Sequence, residues 1–315
     1  MWTIFVQISY GIPSFCAHFL MFWLFQFSRQ KQSFQSSFYS LTKFLTVFDI
    51  FYYIFLNLQI KLFNYAPLAQ HFIDFGPESF FYRIIIFGFY FFNYLRSFFV
   101  LAESMNRFAF VLYIDKQTDM FDAKMSKFIW PFFVVAVLIA ISQSWFYFWC
   151  TFVFIKLGDT DSYALIAMLT FFKTKGSLRS AIIGFIAAIS CIILNGCASL
   201  LLFRRKQIVK KRGGLNLFLI ALVDFVFHLL HAVTEISFVV FRNYPKTLYL
   251  LEYAQAIRIW VIDLDCLHRP WILFIMSENV RFAVFYVVGF AKHNQMNNVK
   301  QTIHNVAVKS ITVVM

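Results

Sequence analysis

Seven apolar stretches alternate with short polar segments along the chain, bracketed at 4–26, 38–60, 84–106, 128–153, 181–203, 214–241 and 250–276. Each is long enough for a helix through a hydrocarbon core, which takes roughly 20 apolar residues. The runs are unbroken, whereas an outer-membrane barrel is written in short segments of alternating polarity. The pattern predicts an all-α, seven-transmembrane helix bundle over residues 1–290, with an interfacial helix at 278–290 and a short cytoplasmic tail at 291–315. The interfacial helix is expected because apolar residues cover most of its perimeter, so it would lie in the membrane plane.

Composition agrees, with a mean hydropathy of +0.70, 61% hydrophobic residues and only 14% charged ones. The formal charge of +13 invites a nucleic-acid partner, but its placement argues against one. Sixteen basic residues fall in 27–37, 107–127, 204–213 and 277–315, against eight in the intervening loops. That asymmetry is the positive-inside pattern, and it predicts an outside N-terminus and an inside C-terminus. Lys156, Lys173, Lys175 and Arg179 in the loop 154–180 weaken the contrast. The first apolar run has no basic leader and exceeds a signal-peptide core, so it reads as the first span, bent at Pro13. The five cysteines show no spacing typical of zinc ligands or a disulfide framework.

Ionisable groups inside the spans carry the chemistry, because a charge in hydrocarbon is costly and must face the bundle interior or a partner. Asp224, His228, His231 and Glu235 are spaced by four, three and four residues, which stacks them on one face of the sixth span. The seventh span answers with Arg258, Asp263, Asp265, His268 and Arg269; the third adds Asn93, Arg96 and Glu103; the second adds Asp49. Asp49, Arg96, Glu103, Asp224, His228 and Asp265 are expected to form a network that exchanges partners between states. A static network tying helices together is the alternative. The same stripe raises a metal-dependent intramembrane enzyme or a proton relay, against which Arg258 and Arg269 would repel a cation. A transporter or channel-like subunit is a further alternative, disfavoured by the odd number of spans and the lack of an internal repeat. No catalytic residue, cofactor or metal is assigned.

The aromatic load is heavy, with Phe 46, Tyr 15 and Trp 7. Phe87, Tyr90 and Tyr94 on the third span and Trp145 and Trp149 on the fourth lie in the outer halves, where they suit core packing or the walls of an apolar pocket. With Asn93, His231, Glu235 and Arg258 they are the expected ligand-binding residues. At the inner end of the third span, Glu103 stands one turn before Arg107, the favourable order for an intrahelical ion pair. The cluster Arg204, Arg205, Lys206, Lys210, Lys211 and Arg212 suits anionic lipid headgroups or an acidic partner.

Several short pieces follow one another in a set order around these spans. They are Tyr10-Gly11-Ile12-Pro13-Ser14, Phe34-Gln35-Ser36-Ser37-Phe38-Tyr39, Asp49, Asn106-Arg107, and Pro270-Trp271 with Arg281 downstream. In this order the chain resembles the nematode serpentine chemoreceptors of the Srg superfamily, most closely the Srg or Srv branch. The resemblance implies a G-protein-coupled chemosensory receptor for a small-molecule ligand, held in the plasma membrane of sensory neurons or their cilia, with a heterotrimeric G protein as partner and no enzymatic activity. By analogy with rhodopsin-like receptors, Asn106-Arg107 stands where those carry Asp-Arg-Tyr, and Glu103 is the local acid that would restrain Arg107. Asn106 and Arg107, with the 204–212 cluster, would then face the G protein. The cysteine that links the third span to the second exterior loop in those receptors is absent, as is the Asn-Pro-x-x-Tyr of their seventh span.

Overall fold

The computed structural model describes residues 2–27, 34, 36–61, 66–74, 76, 79–113, 118–156, 163–168, 176–204 and 212–289. Its long helices are α1 (Trp2–Gln26), α2 (Ser37–Leu56), α4 (Phe80–Tyr113), α5 (Thr118–Ser144), α6 (Gly176–Arg204), α7 (Arg212–Asn243) and α8 (Leu251–Met276). Two short ones, α3 (Ala66–Ile73) and α9 (Glu278–Val287), accompany them. A helical ring runs α1–α2–α4–α6–α7–α8 and closes back on α1, with α5 flanking it against α2 and α4. Helix α4 therefore occupies the middle of the bundle.

Among the described residues, six helical segments are long and apolar enough to cross a membrane: Val6–Gln26, Ser37–Lys61, Phe80–Leu112, Lys127–Trp149, Leu178–Leu202 and Leu222–Phe241. The seventh expected span, α8, is helical over 26 residues, but Glu252, Arg258, Asp263, Asp265 and Arg269 set it apart from the other six. The partition of side chains is the reverse of a water-soluble protein's. Leu138 is 61% exposed and Ile186 60%, while Arg96 is 0% and Arg269 1% exposed. An apolar exterior around a charged interior is stable only where the surroundings are hydrocarbon.

Aromatic rings fill the space between α2, α4 and α5. Phe48 and Phe99 meet edge-to-face at 5.0 Å, and Phe44 stacks on Phe133 at 5.1 Å. Gly88 permits close approach of α4 to α2, because a Cβ there would lie 2.5 Å from the ring of Phe55. Gly88→Val should therefore lower the thermal stability of the purified protein, by about 1–3 kcal/mol of overpacking; an unchanged melting temperature would show that the Phe55 ring swings aside freely.

The local structure departs from the expected elements at two places, the end of α2 and the bracket 128–153. Helix α2 continues into a π-helical turn, Asn57–Lys61, and this wide turn brings Lys61 within 2.7 Å of Asp263 on α8. The bracket 128–153 is not one helix: α5 ends at Ser144, and a 3-10 turn, Trp145–Trp149, follows. Beyond it, strand β1 (Thr151–Lys156) pairs antiparallel with β2 (Tyr163–Met168), with Thr151 opposite Met168 and Lys156 opposite Tyr163. Thr, Val and Ile interleaved with Phe favour a pleated strand over a helix, and Phe152 and Leu165 turn inward to join the core. Finally, α9 starts at Ser277, whose Oγ accepts from the Val280 amide at 3.3 Å. It stops before Gly289, which takes a φ of 86° that other residues rarely adopt. Val280 and Ala283 of α9 pack on Leu273 and Phe38. The expected tail at 291–315 lies outside the described residues.

Candidate functional site: a buried ladder of charge

The polar face of α7 and that of α8 meet along their length, and α2 and α4 close the gap from the other side. The first rung is Arg258, whose Nε lies 2.5 Å from Glu235 Oε1 and whose guanidinium sits over the ring of Phe238 at 4.9 Å. Below it, His231 lies between Glu235, at 3.7 Å from Nε2, and Asp265, at 2.8 Å from Nδ1. His228 Nδ1 is 3.9 Å from the same Asp265 oxygen.

Arg96 is the hub. Its Nε donates to Asp49 at 2.5 Å, its Nη1 to the Asp265 carboxylate at 2.8 Å and its Nη2 to the Asp265 carbonyl at 2.8 Å. The planar fork of arginine suits this three-way contact, which one ammonium nitrogen could not make in the same directions. The guanidinium also lies over the ring of Tyr52 at 5.3 Å.

Arg269 continues the chain inward, facing Asp49 at 3.3 Å, Glu103 at 3.4 Å and Asp224 at 3.6 Å. Asp224 is also held by His268 Nε2 at 2.6 Å. Glu103 then reaches Arg107 at 3.2 Å, and Arg107 lies over Phe38 at 4.8 Å. One unbroken succession of contacts thus runs from Arg258 to Arg107. Buried charges of this kind are tolerated only when paired.

A separate cluster lies on the other side of α8, where Asp263 meets Lys61 and the Tyr10 hydroxyl. Asp263 and Asp265 lie two residues apart, so they point to different neighbours.

Alongside the ladder, Asn93, Ser97, Ser180, Gly184, His228, His231, Ala232 and Glu235 line a crevice between α4, α6 and α7 of about 10 Å3. That is room for about one water molecule. Asn93 Nδ2 donates to Ser180 Oγ at 2.8 Å across its mouth. Three expected binding residues, Asn93, His231 and Glu235, come together here, and Arg258 touches the last of them.

Tyr90 and Tyr94 turn inward nearby, and Phe87 packs on Phe148 at 4.6 Å. Trp145 and Trp149 do not join them, being 49% and 64% exposed on the outer surface. The 3-10 turn rotates Tyr147 inward in their place, stacked on Tyr90 at 4.4 Å and 4°. A helical reading of 128–153 puts the wrong rings inside.

Ser97, Ser180 and Gly184 were not anticipated. Their signal was small residues spaced by four: Asn93 with Ser97 on α4 and Ser180 with Gly184 on α6, the spacing that lets membrane helices approach closely. At the far end of the ladder from Arg258, Asn106 and Arg107 are both buried, and Ser37 Oγ donates to Asn106 Oδ1 at 3.1 Å. Arg204 is exposed at the end of α6, and the side chain of Arg212 is not described. Arg205, Lys206, Lys210 and Lys211 lie outside the described residues.

The family model for Srg family chemoreceptors matches residues 4–284. Among solved structures, squid rhodopsin superposes with a TM-score of 0.65 at 14% identity, over 90% of this chain and 78% of that one. At that identity the likeness is one of fold. No curated protein matches the chain.

Proposed function

The chain belongs to the Srg family of chemoreceptors, and from that premise we propose that it is a seven-span receptor that couples a small chemical cue outside the cell to a heterotrimeric G protein inside. The observation that carries this reading is the ladder from Arg258 to Arg107. It links the crevice to the expected cytoplasmic end through side chains on α2, α4, α7 and α8. In this reading α8 is the seventh span, its charges tolerated because they meet partners across the bundle. The basic excess at the inner loops supports an outside N-terminus, and family membership supports a plasma-membrane, ciliary location.

The cue binds at the outer half, against Phe87, Tyr90, Asn93, Tyr94, His231, Glu235 and Arg258. A crevice of about 10 Å3 holds no ligand as it stands, so binding must spread α6 and α7 from α4. A ligand that needs the wider arrangement shifts the population toward it, since only differential affinity moves an equilibrium. Spreading α7 strains the contacts of Glu235, His231 and Asp224 with α8, and Asp49, Arg96 and Glu103 redistribute among the remaining partners. Arg107, buried against Glu103 and Phe38, is then freed toward the G protein, with Asn106 and the 204–212 cluster beside it.

The decisive test is heterologous expression with a G-protein activation readout against a broad panel of volatile and soluble small molecules. Arg107→Ala should abolish the evoked response while surface labelling persists. A response equal to wild type would remove Arg107 from the signalling path.

A further inference from the structure

We propose that His228, His231 and Asp265 form a binding site for a divalent transition-metal ion of zinc's class, bridging α7 to α8. Their ligand atoms all lie within 4.8 Å of one another, and all three side chains are buried. Asp265 Oδ2 is 2.8 Å from His231 Nδ1 and 3.9 Å from His228 Nδ1. Around a tetrahedral ion with bonds of about 2.0–2.1 Å, ligand atoms stand about 3.4 Å apart, between those two separations. Small side-chain shifts close the difference.

A second observation points to a ligand independently. His228 is 2% exposed, yet neither of its ring nitrogens makes a hydrogen bond. Burying an imidazole with both nitrogens unused is costly, and this one lines the crevice, which has room for a water as fourth ligand.

The neighbouring groups lie near the positions that the outer layer of a metal centre takes, and a small approach of Glu235 completes it. When His231 Nδ1 binds the ion, its Nε2 carries the proton and faces Glu235 Oε1, 3.7 Å away. A ligating histidine that donates its other N–H to a carboxylate is the usual support for a bound metal. Arg96 holds the same Asp265 Oδ2 through Nη1 at 2.8 Å and the Asp265 carbonyl through Nη2 at 2.8 Å, so an incoming ion shares that oxygen with the guanidinium or takes Oδ1.

Charge favours the ion as well. Five carboxylates of the ladder, Asp49, Glu103, Asp224, Glu235 and Asp265, face four guanidiniums, those of Arg96, Arg107, Arg258 and Arg269. With the imidazoles of His228, His231 and His268 neutral, one negative charge is left over, and Asp265, which shares Arg96 with Asp49, is where a cation balances it. The repulsion expected from Arg258 and Arg269 is spent on their own acids, Glu235 for the first and Asp49, Glu103 and Asp224 for the second, and that of Arg96, the nearest guanidinium, is shared between Asp49 and Asp265. Two imidazole nitrogens and one carboxylate oxygen suit zinc better than calcium or magnesium, which take oxygen ligands.

This site goes beyond the signalling role and is tested with metal alone. The full-length protein in lipid nanodiscs, stripped with chelator, is titrated with Co2+ and then with Zn2+. A single bound cobalt with the strong visible bands of tetrahedral coordination, displaced by zinc, is expected. His228→Phe breaks no hydrogen bond and should weaken binding by about tenfold or more, with the melting temperature of the metal-free protein kept; His228→Leu carries the same expectation if the larger ring prevents folding. His268→Gln alters the neighbouring contact with Asp224 and should leave metal affinity unchanged. Folded wild-type protein without cobalt bands, or bands that persist in both His228 variants, would overturn the site.

Discussion

Arg96→Met should abolish surface expression of the receptor. The substitution removes the hub while leaving Asp49 and Asp265 buried between α2 and α8. Breaking a buried ion pair from one side costs about 3–5 kcal/mol, because the abandoned charge has no water to return to. Native proteins have only about 5–15 kcal/mol in hand. Arg269, at 3.3 Å from Asp49, relieves part of one acid's charge, but Asp265 keeps only histidine neighbours. Arg96→Lys should rescue poorly, since the three donors now used point to three different acceptors. Arg96→Met combined with Asp265→Asn should recover part of the loss, since one of the stranded charges is then gone. Flow-cytometric surface labelling and the melting temperature of detergent-solubilised protein measure both effects. Wild-type values for Arg96→Met would mean that the ladder carries no stability.

Glu103→Gln should act in the opposite sense and raise signalling without ligand. Glu103 restrains Arg107 at 3.2 Å and faces Arg269 at 3.4 Å. The amide keeps the size of the side chain but loses the charge that holds both guanidiniums. If the resting arrangement is weakened by about 1.4 kcal/mol relative to the active one, the active population rises about tenfold. Basal G-protein activation at matched surface density should rise accordingly, and adding Arg107→Ala to the same chain should return it to background. A basal rate no higher than wild type would detach Glu103 from the switch.

Six of the seven expected spans were legible in the chain because hydrocarbon imposes a length and a composition that few other segments share. The faces of the charged helices were legible too: four-, three- and four-residue spacing placed Asp224, His228, His231 and Glu235 on one side of α7. The partners were not. Whether Arg96 meets Asp49, Asp265 or both depends on the rotation and depth of three helices far apart in sequence, which no local spacing records. The failure at 128–153 has another cause. Its apolar run continues across a change of backbone from helix to 3-10 turn to strand, so hydropathy alone cannot find the break, and Tyr147 was overlooked beside Trp145 and Trp149.

The short pieces that carried the family resemblance prove to be contacts between helices. Trp271 donates to Ser14 at 2.8 Å, Ser37 to Asn106 at 3.1 Å, the hydroxyls of Tyr39 and Ser277 lie 3.0 Å apart, and Tyr10 reaches Asp263. Each is unremarkable alone. Together they fasten α1 to α8, α2 to α4 and α2 to the start of α9, which is why their order around the bundle identified the fold where single residues did not.

All five cysteines are free thiols, so the β1–β2 hairpin after α5 is secured by its backbone ladder and by rings such as Phe154 against Tyr82 at 5.4 Å. Dithiothreitol or glutathione should therefore leave the hairpin in place. Samples can be kept fully reduced during purification, and oxidative cross-linking becomes a usable reporter of artificially introduced cysteine pairs, free of a competing native bridge.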